Sequence, residues 1–305
     1  MQESQFIWMN GEMVPWKDAK VHVLTHAMHY ATAVFEGIRS YGIDGKAAIF
    51  RLDDHIKRLL ESAKIYEMAI PYTFSEIKKA IKDTVKINEL TDCYIRPLAY
   101  YGYGEMGISP LKNRVDLSIA AWKWGAYLGE SAKSNGIRCM VSSWQRVNPL
   151  SIPPMAKAVG NYANSVLAKV EAQKTGFDEA IMLNMYGLVT EGTGENLFYV
   201  KDGELMTPPT TAGILRGITR DSVIRIANDL NIPFRKNNIA REELYIADEL
   251  FLTGTAAEIT PIVEVDRRIV GNGKIGSITK KIMNKFENII HMKEINHYEW
   301  MEQID

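Results

Sequence analysis

The alternation of apolar and polar positions divides the chain into short strands and a few amphipathic helices. Phe6–Gly11 reads as a strand closed by the Asn10–Gly11 step, a dipeptide suited to the positive φ angles of a tight hairpin. Val34–Tyr41 and Ala47–Arg51 read as two more strands around a turn at Asp44–Gly45. Ile56, Leu59, Leu60 and Ala63 then recur at i, i+3, i+4 and i+7, which predicts a helix capped by Asp53 or Asp54. Pro71 ends that unit. Ser75 is placed to cap a second helix, with Ile77, Ala80, Ile81 and Val85 inward. Cys93–Tyr103 and Val115–Trp124 are β-rich neighbours. The first half is thus expected to be an α+β unit, strands with two helices packed on them.

Gly125–Gly136 is rich in small and mixed-charge residues and reads as a linker. It divides the chain into a domain over 1–125, a linker over 126–136 and a second domain over 137–305. In the second half, Ile137–Ser143, Glu179–Leu183, Leu188–Glu191, Asn196–Val200, Glu249–Thr253 and Ile259–Val265 read as strands. Asp202–Gly203 is a hairpin turn. Helices are expected over Asn161–Lys174, behind Thr219 as cap with Val223, Ile226, Ala227 and Leu230 inward, and over Ile278–Ile290. No internal repeat or low-complexity tract interrupts this order.

Composition narrows the class. The 305 residues are 46% hydrophobic and 24% charged, an ordinary globular balance. A net charge of -1 gives no reason to expect nucleic acid as a partner. Cys93 and Cys139 form no metal or redox pair and fit a reducing compartment. No apolar run reaches the roughly 18 residues of a membrane span, and the polar start carries no signal-peptide pattern. The expectation is a cytoplasmic protein without a membrane partner.

Several motifs carry little. Gly102–Gly107 and Gly271–Gly276 both match G-x-G-x-x-G, but a dinucleotide site needs the glycines between a strand and a helix inside a βαβ unit. Ile108–Leu111 cannot start a long helix, and Gly276 leaves little chain for a further strand. His22, His26 and His29 share a helical spacing, yet no carboxylate joins them, so polar packing is expected and no metal.

The chemistry concentrates around Lys157. It stands among Ile152, Met155, Ala156, Ala158 and Val159, between Pro153–Pro154 and a Gly160–Tyr162 step. A lysine in apolar company is a candidate nucleophilic amine toward a carbonyl. Thr190–Asn196 offers carboxylates on a glycine-loosened turn. Gly217, Ile218 and Thr219 open a helix whose first amides suit a phosphate, and Gly254–Ala256 can form a second anion nest. Arg51, at a strand-to-helix junction, could add a bidentate guanidinium. An amine, an acid and two anion cups are a consistent set for pyridoxal 5'-phosphate.

With these runs in place, the chain resembles the branched-chain amino-acid aminotransferases, class IV enzymes of fold type IV. The residues that carry the resemblance are His29–Arg39, Tyr94–Leu98, Lys157–Tyr162, Glu191–Phe198, Gly217–Arg220 and Gly254–Pro261, in the family's order and spread over residues 6–290. The resemblance implies a two-domain α+β fold like that of D-amino-acid aminotransferase, with a small N-terminal α/β domain and a larger C-terminal pseudo-barrel. It implies pyridoxal-phosphate-dependent transamination of L-leucine, L-isoleucine and L-valine with 2-oxoglutarate. A D-amino-acid or R-amine transaminase and an aminodeoxychorismate lyase are the alternatives, and the Tyr94-x-Arg96 pair favours the first reading.

The resemblance also assigns roles. Lys157 matches the Schiff-base lysine that also shuttles the substrate proton. Glu191 matches the acid at the pyridine nitrogen, and Tyr162 the phenol beside O3'. Arg51, Ile218, Thr219 and Thr255 match the phosphate site, behind the Gly217 turn. Leu215 packs on the ring, and Gly194 and Asn196 shape the floor. Tyr94 and the amides of Thr255 and Ala256 match the α-carboxylate site. Arg96 matches the residue for glutamate's distal carboxylate, with Tyr30 and Tyr127 nearby. Phe35, Trp124 and Ile108 match the apolar wall. Tyr30 and Ile108 would come from a partner subunit, so a homodimer is implied at minimum, with a trimer of dimers left open.

Overall fold

The computed structural model describes residues 2–125 and 130–304. The backbone divides into two compact units, Met1–Trp124 with Ala156–Gly160 and Ile289–Asp305, and Gly125–Met155 with Asn161–Asn288. The change of unit after Trp124 falls at the edge of the expected linker. Within that linker, Glu130–Asn135 is helical, and Ala132 packs in the core of the second unit. Two segments from the second half of the chain, Ala156–Gly160 and Ile289–Asp305, belong to the first unit.

The first unit is built on an antiparallel sheet in the order Met301–Gln303, Lys46–Phe50, Ile38–Ile43, Cys93–Tyr101, Val115–Lys123, Phe6–Met9, Glu12–Pro15, with Ala33–Phe35 also paired to Cys93–Tyr101. The Asn10–Gly11 hairpin forms as expected, with φ of 49° and 102° at its two turn residues. The run Val34–Tyr41 is broken at Glu36 and Gly37. Glu36 is fully buried, and at Gly37 an added Cβ would lie 1.9 Å from the Tyr94 hydroxyl, so glycine alone admits the phenol there.

Two helices, Leu52–Ile65 and Phe74–Ile87, bury their apolar faces with Val34, Ile49, Ile95, Leu117 and Ile119 in one core. Their starts differ from expectation. The first begins at Arg51, which takes a left-handed conformation with φ of 48°, so neither Asp53 nor Asp54 is the cap. The second is capped by Thr73 rather than Ser75. Thr73 Oγ1 accepts from the Glu76 amide at 3.3 Å, and the Glu76 carboxylate accepts from the Thr73 amide at 2.7 Å, a reciprocal box.

In the second unit six strands close on themselves. Ile137–Val141, Glu179–Leu183, Val189–Gly192, Asn196–Lys201, Glu249–Gly254 and Glu258–Val265 pair in that order, and the last returns to the first. Ile137–Val141 is parallel to both neighbours and the other pairs are antiparallel. Closure removes the open edges of these strands and gives the small barrel its interior of Ile181, Leu197, Leu252 and Ile262. The helices Asn161–Lys174, Ile218–Asp229 and Ser277–Ile290 form over the expected stretches. The second of them starts at Gly217 rather than Thr219, and no side chain caps it.

The two glycine patterns open no nucleotide fold. No helix follows Gly107 directly, among the described residues. The helix after Gly276 leads to a strand, Met301–Gln303, that runs antiparallel to Lys46–Phe50. Among the described residues no helix is long and apolar enough to cross a membrane.

Candidate active site

In the first unit the segment Ala156–Gly160 lies along the strand Ala33–Phe35. Phe35 N donates to Lys157 O at 3.0 Å, Val159 N donates to Ala33 O at 2.9 Å, and Val34 faces Ala158 across an antiparallel bridge. Ala156 and Ala158 point into the core, which turns Lys157 the other way. The Lys157 amide donates to Ser62 Oγ at 3.0 Å. Its side chain is half-buried, with Nζ 4.8 Å from the centre of the Phe35 ring.

Around Phe35 the same unit gathers three of the other expected residues. The Arg96 guanidinium lies 4.7 Å over the Phe35 ring and donates from Nη2 to the Tyr94 hydroxyl at 3.3 Å. Trp124 stacks on Tyr94 at 4.8 Å, with Trp122 against both rings. This is an apolar, aromatic wall with one cation and one phenol. Tyr30 is 39% exposed and Ile108 79% exposed, and Tyr30 donates its hydroxyl proton to Met106 O at 3.1 Å. Tyr127 lies outside the described residues.

Arg51 is occupied elsewhere. Its Nε donates to Asp54 Oδ2 at 2.6 Å, its guanidinium stacks 5.2 Å over Trp300, and its amide donates to Trp300 O at 2.6 Å. On the same helix Arg58 stands one turn before Ser62, whose Oγ accepts from the Lys157 amide. Arg58 donates from Nε to Glu36 Oε1 at 2.7 Å and from Nη2 to Oε2 at 2.8 Å, and His55 Nδ1 donates to Oε2 at 2.7 Å. Burial alone would raise Glu36; Arg58 and His55 outweigh it and hold the carboxyl far below the usual range. Burial lowers His55 despite Glu36, and the charges of Arg58 and Lys157 act in the same direction as burial.

The second unit centres on Glu191, 4% exposed. Arg146 Nη2 meets Oε1 at 2.8 Å. Oε2 accepts from Asn196 Nδ2 at 2.9 Å and from the Leu215 amide at 3.1 Å. Asn196 Nδ2 also donates to Leu215 O at 3.0 Å, so the Leu215 peptide is fastened on both sides. At Gly217 an added Cβ would lie 1.9 Å from Asn196 Oδ1, which ties the start of the helix Ile218–Asp229 to the same amide. Tyr162 is the second residue of the helix Asn161–Lys174, and Asn161 Nδ2 donates to Pro153 O at 3.2 Å. Thr255 and Ala256 form the turn between Glu249–Gly254 and Glu258–Val265 and are half-buried.

Beneath the turn Gly192–Glu195 lies a second buried acid pair. Thr193 Oγ1 donates to Glu179 Oε1 at 2.7 Å, and Lys169 Nζ holds Oε2 at 2.7 Å. The exposed Gly194 donates its amide to Glu195 Oε2 at 3.1 Å. Burial, with the Glu179 carboxylate nearby, pushes Glu195 up to about 8.

Within the second unit the residues present fit an anionic pyridine cofactor. A buried carboxylate held by a guanidinium suits a protonated ring nitrogen, and a helix start without a side-chain cap suits a phosphate. Among the described residues no three His, Cys, Asp or Glu cluster as a metal site. His26 is instead buried against Thr32 and Gly107 O.

Comparison with known proteins decides the family. The pattern of the amino-transferase class IV family matches residues 33–265. The chain belongs to the class IV aminotransferases. It is 47% identical to the branched-chain-amino-acid aminotransferase of Escherichia coli (strain K12), over 100% of this chain and 99% of that one. Among solved structures, the T.th. branched-chain amino acid aminotransferase with pyridoxamine 5'-phosphate superimposes at a TM-score of 0.97 with 45% identity, covering both chains fully (100%). The T.th. enzyme complexed with N-(5'-phosphopyridoxyl)-L-glutamate gives a TM-score of 0.96 at 44% identity, again over 100% of both chains. The two-unit α+β fold with its small barrel is the class IV aminotransferase fold.

For a class IV aminotransferase, the sequence reading left out Arg58, Glu36 and Arg146. Arg58 carried a legible signal, since a cation on the apolar side of a helix, beside Leu59 and Ser62, needs a buried partner. Glu36 within a strand-like run gave the matching sign. Arg146 gave none.

Proposed function

We propose that this class IV aminotransferase moves the amino group of L-leucine, L-isoleucine and L-valine to 2-oxoglutarate, forming branched-chain 2-oxo acids and L-glutamate with pyridoxal 5'-phosphate as cofactor. The observation that carries the reading is the Phe35, Tyr94, Arg96 and Trp124 patch in the same unit as the Lys157 amine. One pocket must accept an aliphatic side chain in one half of the cycle and a carboxylate in the other. An aromatic wall with a single guanidinium can do both. The pyridoxamine and phosphopyridoxyl-glutamate complexes of the T.th. relative support the cofactor and the glutamate partner.

When bound, the cofactor supplies an electron sink for the charge left as an amino acid loses its Cα proton. Lys157 would hold the cofactor through its amine and would accept and return that proton. Glu191 would meet the ring nitrogen as a carboxylate, Tyr162 would hydrogen-bond O3', and Leu215 would pack on the ring, with Gly194 and Asn196 shaping the floor. The amides of Ile218 and Thr219, past Gly217, would hold the phosphate with Thr255. Arg58 takes the guanidinium role first given to Arg51, because Asp54 and Trp300 engage Arg51 while Arg58 stands one turn from Lys157's partner Ser62. Tyr94 and the amides of Thr255 and Ala256 would bind the α-carboxylate, and Arg96 would bind the distal one.

A homodimer belongs to the same reading, as does a cytoplasmic location. Val23, Met28, Ile108 and Leu111 are 65%, 61%, 79% and 74% exposed on the first unit, a density of bare apolar side chains that a second copy would cover. Tyr30 and Ile108 then complete the partner's pocket.

The test is a substrate panel. L-leucine, L-isoleucine and L-valine with 2-oxoglutarate should each yield L-glutamate. Turnover confined to D-alanine or R-1-phenylethylamine would overturn the reading.

A further inference from the structure

Glu191 can serve a protonated ring nitrogen only while it is itself a carboxylate. It is 4% exposed, and a buried acid without a countercharge takes up a proton instead. Two of its contacts, Asn196 and the Leu215 amide, are neutral donors to Oε2. The countercharge is Arg146, whose Nη2 meets Oε1 at 2.8 Å. A second buried guanidinium, Arg220, feels the Glu191 charge but gives its protons to Thr207 Oγ1 at 3.1 Å and Pro208 O at 2.9 Å.

Arg146 is itself held as a bracket. Its Nη1 donates to Ser165 Oγ at 3.1 Å, one turn into the helix that begins at Asn161 and Tyr162. Asn164 clamps the residues on either side, accepting from the Val147 amide at 3.1 Å and donating to Gln145 O at 2.9 Å. The Arg146 amide donates to Leu183 O at 2.8 Å. Strand, helix and acid therefore meet at one residue, whose side chain is 7% exposed.

We propose that Arg146 is a positioning residue that keeps Glu191 ionised and aimed, and so sets which of the two partners, the carboxylate or the cofactor's ring nitrogen, carries their shared proton. With Arg146 present the proton sits on the ring nitrogen and Glu191 accepts it. Without the guanidinium the proton passes to Glu191, the pair becomes neutral, and the electron sink is weakened. Arginine suits this because its fork of donors meets Glu191 and Ser165 at once.

This inference rests on the pyridoxal-phosphate reading, and one experiment separates the two. Holoenzyme is prepared with cofactor carrying nitrogen-15 in the ring, and its ring-nitrogen chemical shift is read in wild type, Arg146→Met, Arg146→Gln and Arg146→Lys. The expected result is a protonated nitrogen in wild type and Arg146→Lys, an unprotonated one in Arg146→Met and Arg146→Gln, and a fall in kcat of about 100-fold for the latter two. Arg146→Gln keeps a donor for Glu191 without the charge, so the comparison remains decisive if Arg146→Met does not fold. A protonated nitrogen in Arg146→Gln overturns the role of Arg146 and leaves the cofactor reading intact. Wild-type protein that takes up no labelled cofactor overturns both.

Discussion

The backbone amide of Lys157 donates to the side-chain oxygen of Ser62 at 3.0 Å. That bond joins a segment from the second half of the chain to a helix of the first, and Ser62 is 1% exposed. Ser62→Ala removes the partner of an amide that has little access to water. It should lower unfolding stability by about 1–3 kcal/mol. Urea midpoints of the two proteins check this, and equal midpoints would show that the segment is held by its strand contacts alone.

Glu191→Gln keeps the shape of the side chain and most of its hydrogen bonds but removes the charge. Cofactor should remain bound while kcat with L-leucine falls about 100-fold or more. Cofactor absorbance and steady-state rates measure the two separately, and unchanged turnover would remove Glu191 from the chemistry.

The Arg96 guanidinium lies 4.7 Å over the Phe35 ring and 5.2 Å over the Tyr94 ring. Arg96→Ala should raise KM for 2-oxoglutarate far more than KM for L-leucine. Equal losses would mean that Arg96 serves the α-carboxylate common to both substrates.

Glu195 yields a pH prediction. Its folded value is raised from 4.5 to about 8, so the folded protein holds a proton that the unfolded chain releases. The stabilisation is complete below the unfolded value and is lost as pH rises through about 8. His55 and Glu36 are both lowered, from 6.5 and 4.5, so their contributions are lost only as pH falls below those values. Between pH 6.5 and 8 the Glu195 effect therefore stands apart from both. Stability should decline across that window in the native protein and decline less in Glu195→Gln. Parallel curves in thermal melts would place the proton elsewhere.

Local features were legible in the sequence where the physics is local. The Asn10–Gly11 turn and the helices Asn161–Lys174 and Ser277–Ile290 follow from short-range periodicity and turn chemistry. Helix starts were harder. Asp54 is engaged by the Arg51 side chain instead of capping, and Thr73 displaced Ser75 because Glu76 stands three residues on to close the box. The third helix start is Gly217 rather than Thr219, at a position where Asn196 leaves no room for a side chain. Long-range pairings were not legible. Nothing in the spacing of Ala156–Gly160 reveals that it adds to the strand Ala33–Phe35, more than a hundred residues earlier. The partners of Arg51 and Arg58 are of the same kind, since Trp300 and Glu36 are brought to them only by the fold.

Lys157 is the lysine proposed to carry the cofactor. Borohydride reduction of the holoenzyme, followed by peptide mapping, tests it most directly. The phosphopyridoxyl mass should fall on the peptide containing Lys157 and be absent from Lys157→Ala. A label on any other lysine of the native protein would show that Lys157 is not the cofactor's lysine.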